Sequence, residues 1–130
     1  MKKLFALLII ATIAYSCKKD EAATCTWQNS TLNDKTYKIT KIVTAGVDVT
    51  TIAQSADPCL KNTWKLNATG LVTETLSAGC SGPSFLTWKT HTASGKNYFI
   101  TGSDTSLVNS FDCNSFTASD GTTLTTMTKQ

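Results

Sequence analysis

From residue 34 onward the chain is a succession of short runs rich in threonine, valine, isoleucine and aromatic residues, broken every few positions by Gly, Asn or Asp. Side chains branched at Cβ fit the pleated, half-buried surface of a sheet, and the breakers are the residues that turns require. Proline, with 2 in 130 residues, is nearly absent. No stretch in this part sustains an apolar 3.6-residue period for three turns. The pattern predicts an all-β chain.

The runs can be placed one by one. "TYKITKIV" alternates, putting Tyr37, Ile39 and Val43 on one face with Ile42 out of phase, and "AGVDVTTI" follows the Ala45-Gly46 turn as a further strand. "NTWKLNATGLVTETL" reads as a hairpin in which Trp64 and Leu66 alternate, 67–70 turn, and the chain resumes at Leu71. "FLTWKTHTASGKNYFITG" is a second hairpin, turning at 93–96. "TSLVNSF" and "NSFTAS" flank a corner at Asp112-Cys113-Asn114, and Asp120-Gly121 leads into the last strand, "TTLTTMTK". Such a plain up-and-down order leaves two exposed edges unless the sheet closes, and about eight strands can close into a small barrel. A small antiparallel up-and-down barrel of about eight strands over 34–130 is therefore expected, with an open meander or a two-sheet sandwich as alternatives.

The N-terminal residues are of another kind. Met1-Lys2-Lys3 is a short basic start, followed by the uncharged stretch "LFALLIIATIAY". Twelve apolar residues are too few to cross a bilayer core, which takes about 20, but they match the apolar region of a secretory signal over 1–16. The stretch ends at Ser16-Cys17, and "AYSC" resembles the lipobox of bacterial lipoproteins, which implies that the Cys17 thiol is lipidated and becomes the mature N-terminus. Two or more acyl chains on one residue anchor a protein firmly without a transmembrane helix. Lys19, Asp20 and Glu21 resemble the lysine-acidic-acidic signal that sends some gram-negative lipoproteins to the outer cell surface. Residues 17–33 then form a lipidated tether, whose second half docks through Cys25 and Trp27. The expected location is the outer membrane, lipid-anchored, with the cell surface as the finer expectation.

Setting Cys17 aside leaves Cys25, Cys59, Cys80 and Cys113. An even number in a small exported domain suggests two disulfides, with three possible connectivities. Zinc would want closely paired cysteines, and these lack that spacing. If 67–70 is the turn, Leu66 faces Leu71 and Cys59 lies opposite Ala78, two residues from Cys80. Cys59–Cys80 is then the natural pair, and elimination leaves Cys25–Cys113. Cys59–Cys113 and Cys25–Cys59 are the pairings that would contradict this register.

With this order in hand, residues 32–130 resemble the small lipocalin-like domain of bacterial surface lipoproteins. "LNDKTYKITKI" is similar to that family's opening strand, with Tyr37 where a tryptophan is usual. "ADPCLKNTWKLNATGLVTE" is similar to its Asp-x-Cys segment, aromatic strand and Asn-x-x-Gly turn. "FLTWKT" takes the place of its second tryptophan strand, and "FDCNSFTASDGTTLTTMTKQ" that of its closing hairpin. The resemblance implies a barrel-like fold and binding of something small and apolar.

The residues themselves exclude some functions. The chain after the export segment carries ten lysines, the 12 of the whole chain less Lys2 and Lys3, against nine acidic residues, and it has no arginine. With no guanidinium fork and no basic stripe among aromatics, nucleic-acid binding is disfavoured. Catalysis is not expected either. His91 is the single histidine and no second histidine or nearby carboxylate gives it a role. Glu74, between threonines, is expected to face solvent, and the aspartates sit at turns where they bind their own backbone. No metal or cofactor is implied.

Twenty-five large apolar residues lie between 34 and 130. Eight strands with roughly three inward positions each need about that many, so the count allows either a filled barrel or a small cleft. Trp64, Leu66, Trp88, Tyr98, Ile100 and Leu107 are the candidate lining residues. Three functions follow: a carrier of a small apolar molecule or lipid, an envelope interaction module with a filled barrel and loops such as "TTIAQSADPC" as contacts, and a small-barrel protease inhibitor. Beyond the membrane and a small hydrophobic ligand, the residues name no protein partner.

Overall fold

A computed structural model describes residues 25–82 and 86–130. The export segment, Cys17 and Lys19-Asp20-Glu21 lie outside the described residues. The elements are α1 (Asn29–Leu32), β1 (Lys35–Thr44), β2 (Val47–Asp48), α2 (Thr50–Ala56), a 3-10 turn (Pro58–Lys61), β3 (Thr63–Leu66), β4 (Val72–Thr75), β5 (Trp88–Ala93), β6 (Lys96–Thr101), β7 (Asp104–Phe111), β8 (Ser115–Asp120) and β9 (Thr123–Lys129).

The strands form one antiparallel sheet in the order β4-β3-β1-β9-β8-β7-β6-β5, with the short β2 paired to the end of β1. Apart from β2, each strand lies beside its neighbours in the chain, and β9 returns to β1. The two edges meet at a bridge between Leu71 and Thr87. There Val72 N donates to Leu86 O at 3.0 Å and Trp88 N to Gly70 O at 2.9 Å. Among the described residues this is the one pairing between β4 and β5, so the curled sheet is joined at a single point. The meander is the small all-β barrel expected from the turn spacing. Tight turns set its hand: Ala45-Gly46 and Ser94-Gly95 each place two successive residues at positive φ (50° and 83°, 51° and 73°), the primed-turn geometry that matches strand twist.

Two bulges correct the simple alternation. β1 slips register against β9 between Ile39 and Lys41, which keeps both Ile39 and Ile42 in the core and moves Val43 off the face it was assigned. This accounts for Ile42 being out of phase. A second slip in β7, between Val108 and Ser110, lets Val108 and Phe111 both pack on the core.

Two further expectations change. "AGVDVTTI" is not one strand: after Val47–Asp48 it becomes the helix α2. Asp48 Oδ1 accepts from Thr50 N at 3.0 Å and from Thr50 Oγ1 at 2.6 Å, a side-chain turn that draws the backbone out of the sheet. The first hairpin pairs Leu66 with Val72, not Leu71. Asn67 N and Asn67 Nδ2 both donate to Leu71 O, at 2.9 and 3.1 Å, enlarging the turn by one residue. A one-residue change swaps the faces of a strand, so β4 turns Val72 and Glu74 inward. Residues 25–33 pack against the barrel. Trp27 and Leu32 are buried, and the Trp27 ring meets Phe99, Phe111 and Phe116 edge-on at 6.3, 5.0 and 5.3 Å. Trp27 Nε1 donates to Tyr98 O at 3.1 Å, and Asn29 Oδ1 accepts from Thr90 N at 2.7 Å. Residues 25–33 thus plug the end of the barrel that carries the β5–β6 and β7–β8 turns. The disulfides are Cys25–Cys113 and Cys59–Cys80, with Cα separations of 5.4 and 4.8 Å.

Candidate functional site: an apolar cavity under a polar mouth

Alternation along paired strands decides which side chains enter the barrel. Cross-strand partners share a face. The pairs Phe99–Ser106 and Thr101–Asp104 on β6 and β7, and Phe116–Met127, Ala118–Thr125 and Asp120–Thr123 on β8 and β9, therefore point inward together. Toward the plugged end these are aromatic and buried. Toward the other end they become hydroxyls and carboxylates, because β9 is "TLTTMTK" and β7 opens with "DTS".

Between the two layers lies a cavity of about 180 Å³. Its floor and walls are Ile39, Trp64, Phe99, Phe116, Ala118 and Met127, and its upper ring is Thr101, Ser106, Thr125 and Asp120. That ring is shared with a wider vestibule of about 560 Å³ bounded also by Leu60, Ser103, Asp104 and Thr105. The β6–β7 and β8–β9 turns frame this mouth, opposite the Trp27 plug. Pockets that enclose a drug-sized ligand run from about 300 to 1,000 Å³. The inner cavity is smaller, close to the ~150 Å³ void known to hold benzene or xenon.

One wall is held by a polar cluster. Glu74 Oε1 accepts from Trp64 Nε1 at 2.7 Å and from Asn62 Nδ2 at 2.6 Å. Asn62, 1% exposed, accepts from Ser77 N at 2.7 Å through Oδ1. The Asn62 amide also reaches Cys80 Sγ at 3.2 Å, which ties the cluster to the Cys59–Cys80 bridge. The carboxylate expected at the surface thus fixes the tilt of the Trp64 indole on the cavity side.

Of the six candidate lining residues, Trp64 lines the cavity. Leu66 and Trp88 are buried but do not line it, and Trp88 Nε1 donates to Asn67 O at 2.9 Å. Tyr98, Ile100 and Leu107 take the outer face: they alternate with Phe99 and with Ser106 and Val108, which face in, and Tyr98 pairs across the strand with both His91 and Leu107. In "NYFITG" three apolar residues run together, so period-2 alternation does not fix its phase, and Phe99 is the inward one. Phe116, Met127, Ala118 and Ile39 were not singled out by sequence. Alternation puts Ile39 on an apolar face with Tyr37, and Phe116 and Ala118 alternate with serine and threonine, but only the pairing register brings these residues to one cavity.

His91 is exposed on the outer surface with its ring 6.1 Å from that of Tyr98. Burial pushes the Tyr37 phenol up to about 12. Hydrogen bonds from Thr50 hold Asp48 below the usual carboxylate range, and those from Asn114 and Ser115 do the same for Asp112. Among the described residues no group of three or more His, Cys, Asp or Glu side chains is placed to hold a metal. No protein-family model, curated protein or solved structure matches the chain.

Proposed function

We propose that this chain is a lipid-anchored, non-catalytic binding module whose barrel takes a small apolar group into its interior. The observation that carries the reading is the cavity itself: six apolar residues on its floor and walls, a ring of hydroxyls and Asp120 above them, and the Trp27 ring packed against Phe99 and Phe116. The inner volume suits a ring or a short chain, with any remainder of the molecule lying in the vestibule. A whole lipid would have to leave most of its length outside. The strand order and the Cys59–Cys80 bridge are in keeping with the lipocalin-like resemblance, and the pairing of the other four cysteines supports reading Cys17 as the acylation site.

The test is a cavity-filling variant. Ala118 is 8% exposed and lies on the cavity wall. Ala118→Leu should lower the affinity of the full-length protein for benzyl alcohol by tenfold or more, while its Tm stays level or rises. Unchanged affinity would show that the ligand does not enter the barrel. A second reading, an envelope interaction module, is favoured by one feature. Ile52 is 72% exposed and Val47 62% exposed, both in the β2–α2 segment. Ile52→Asp should then release a partner captured by cross-linking in intact envelopes, and leave benzyl alcohol binding alone.

A further inference from the structure

We infer that the cavity selects a cationic amphiphile: a protonated amine carried on a ring-sized or short-chain apolar group, with the ammonium held at the mouth between Asp104 and Asp120. This rests on the binding reading above and adds the head group of the ligand.

The aspartates of the barrel fall into two sets. Four are occupied by backbone N–H groups of turns: Asp34 Oδ1 accepts from Ala68 N at 3.4 Å, Asp48 from Thr50 N at 3.0 Å, Asp57 from Cys59 N at 2.9 Å, and Asp112 from Asn114 N and Ser115 N, both at 2.7 Å. Asp104 and Asp120 accept no such bond and have no ion-pair partner among the described residues. Register turns both toward the interior, Asp104 opposite Thr101 and Asp120 opposite Thr123. Asp120 borders both the inner cavity and the vestibule, and Asp104 borders the vestibule.

The rest of the rim is of matching chemistry. Its remaining polar side chains are hydroxyls, and no lysine, histidine or amide lines either space. Hydroxyls can donate or accept, whereas ionised carboxylates only accept. A ligand with its apolar part against Phe99, Phe116 and Met127 therefore presents its head to two negative charges. An ammonium is attracted there, an alcohol is tolerated, and a carboxylate is repelled. A free fatty acid is the wrong ligand by charge. Exposed charge pairs discriminate modestly, so the expected preference is roughly three- to tenfold.

The chain has two methionines, Met1 and Met127, so the Met127 methyl is a nearly private reporter of the cavity floor. In full-length protein held in zwitterionic lipid nanodiscs, methyl NMR titrations with benzylammonium, benzyl alcohol and benzoate separate the possibilities. Benzylammonium should shift the Met127 signal at the lowest concentration and benzoate at the highest. Raised salt, and the variant Asp104→Asn/Asp120→Asn, should bring the midpoints of the three together. Equal midpoints for benzylammonium and benzyl alcohol would overturn the charge selection and leave the cavity reading standing. No shift with any of the three would overturn both.

Discussion

Single residues carry the site in ways their types conceal. Glu74 is the only glutamate of the barrel and satisfies two donors, the Trp64 indole and the Asn62 amide. Removing one partner of a buried hydrogen bond costs about 1–3 kcal/mol, more than the bond's net contribution, because the group left behind stays desolvated. Glu74→Ala should lower stability by that amount and change the Trp64 fluorescence. Glu74→Gln, which keeps an acceptor, should cost less, and equal losses in chemical denaturation would contradict the assigned role. Tyr37 sets a pH limit. Its folded value of about 12 lies above the ordinary 10, so the unfolded chain ionises first as pH rises. The protein keeps this contribution below pH 10 and loses up to roughly 2–3 kcal/mol between about 10 and 12. Tyr37→Phe should flatten that decline in alkaline denaturation curves. A curve identical to that of the parent would rule Tyr37 out as its source.

At the scale of elements, the sheet was legible where turn residues bounded a run, as with the β8–β9 hairpin at Asp120-Gly121, while the facing of β6 and β7 was not. It was misread where one residue decided the outcome. The β3–β4 hairpin differs from the expected register by one position, through the bonds of Asn67 to Leu71. That slip hid the inward turn of Glu74, since a carboxylate between threonines looks like a surface residue until its strand's face is known. α2 was missed because its seven residues are too few to show a helical period; a side-chain bond from Asp48, not an apolar stripe, begins it. Of the cavity, Trp64 was legible, while Phe99, Phe116 and Met127 required the pairing register. The disulfides were legible because they join elements whose order was right. Cys25–Cys113 closes a separation of 88 residues and Cys59–Cys80 one of 21. Loop-closure entropy then predicts that replacing the first pair by alanine costs on the order of 4–5 kcal/mol and the second about 3. Calorimetry of the two double variants should show that order, and the reverse order would argue that native-state strain dominates.

For the whole molecule, the disposition of plug and mouth has a geometric consequence. Trp27 and the Cys25–Cys113 bridge sit at the end of the barrel opposite the mouth. With Cys17 acylated as proposed, the eight residue steps from Cys17 to Cys25 reach at most about 28 Å, so the plugged end is tied within that distance of the bilayer while the mouth, at the other end, has the greater reach from it. Fluorophores placed by Lys96→Cys, at the plugged end, and Ser103→Cys, at the mouth, should differ in quenching by head-group-labelled lipid, Lys96→Cys being the more quenched. Stronger quenching at Ser103→Cys would reverse the orientation. The binding reading depends on the barrel being hollow at one level. Diffraction from crystals held under xenon pressure tests that most directly, because xenon enters apolar voids of this size and leaves filled cores empty. A xenon peak enclosed by Trp64, Phe99, Phe116 and Met127 is the result expected. No xenon at that position, with side chains filling the space between Trp64, Phe116 and Met127, would contradict the account.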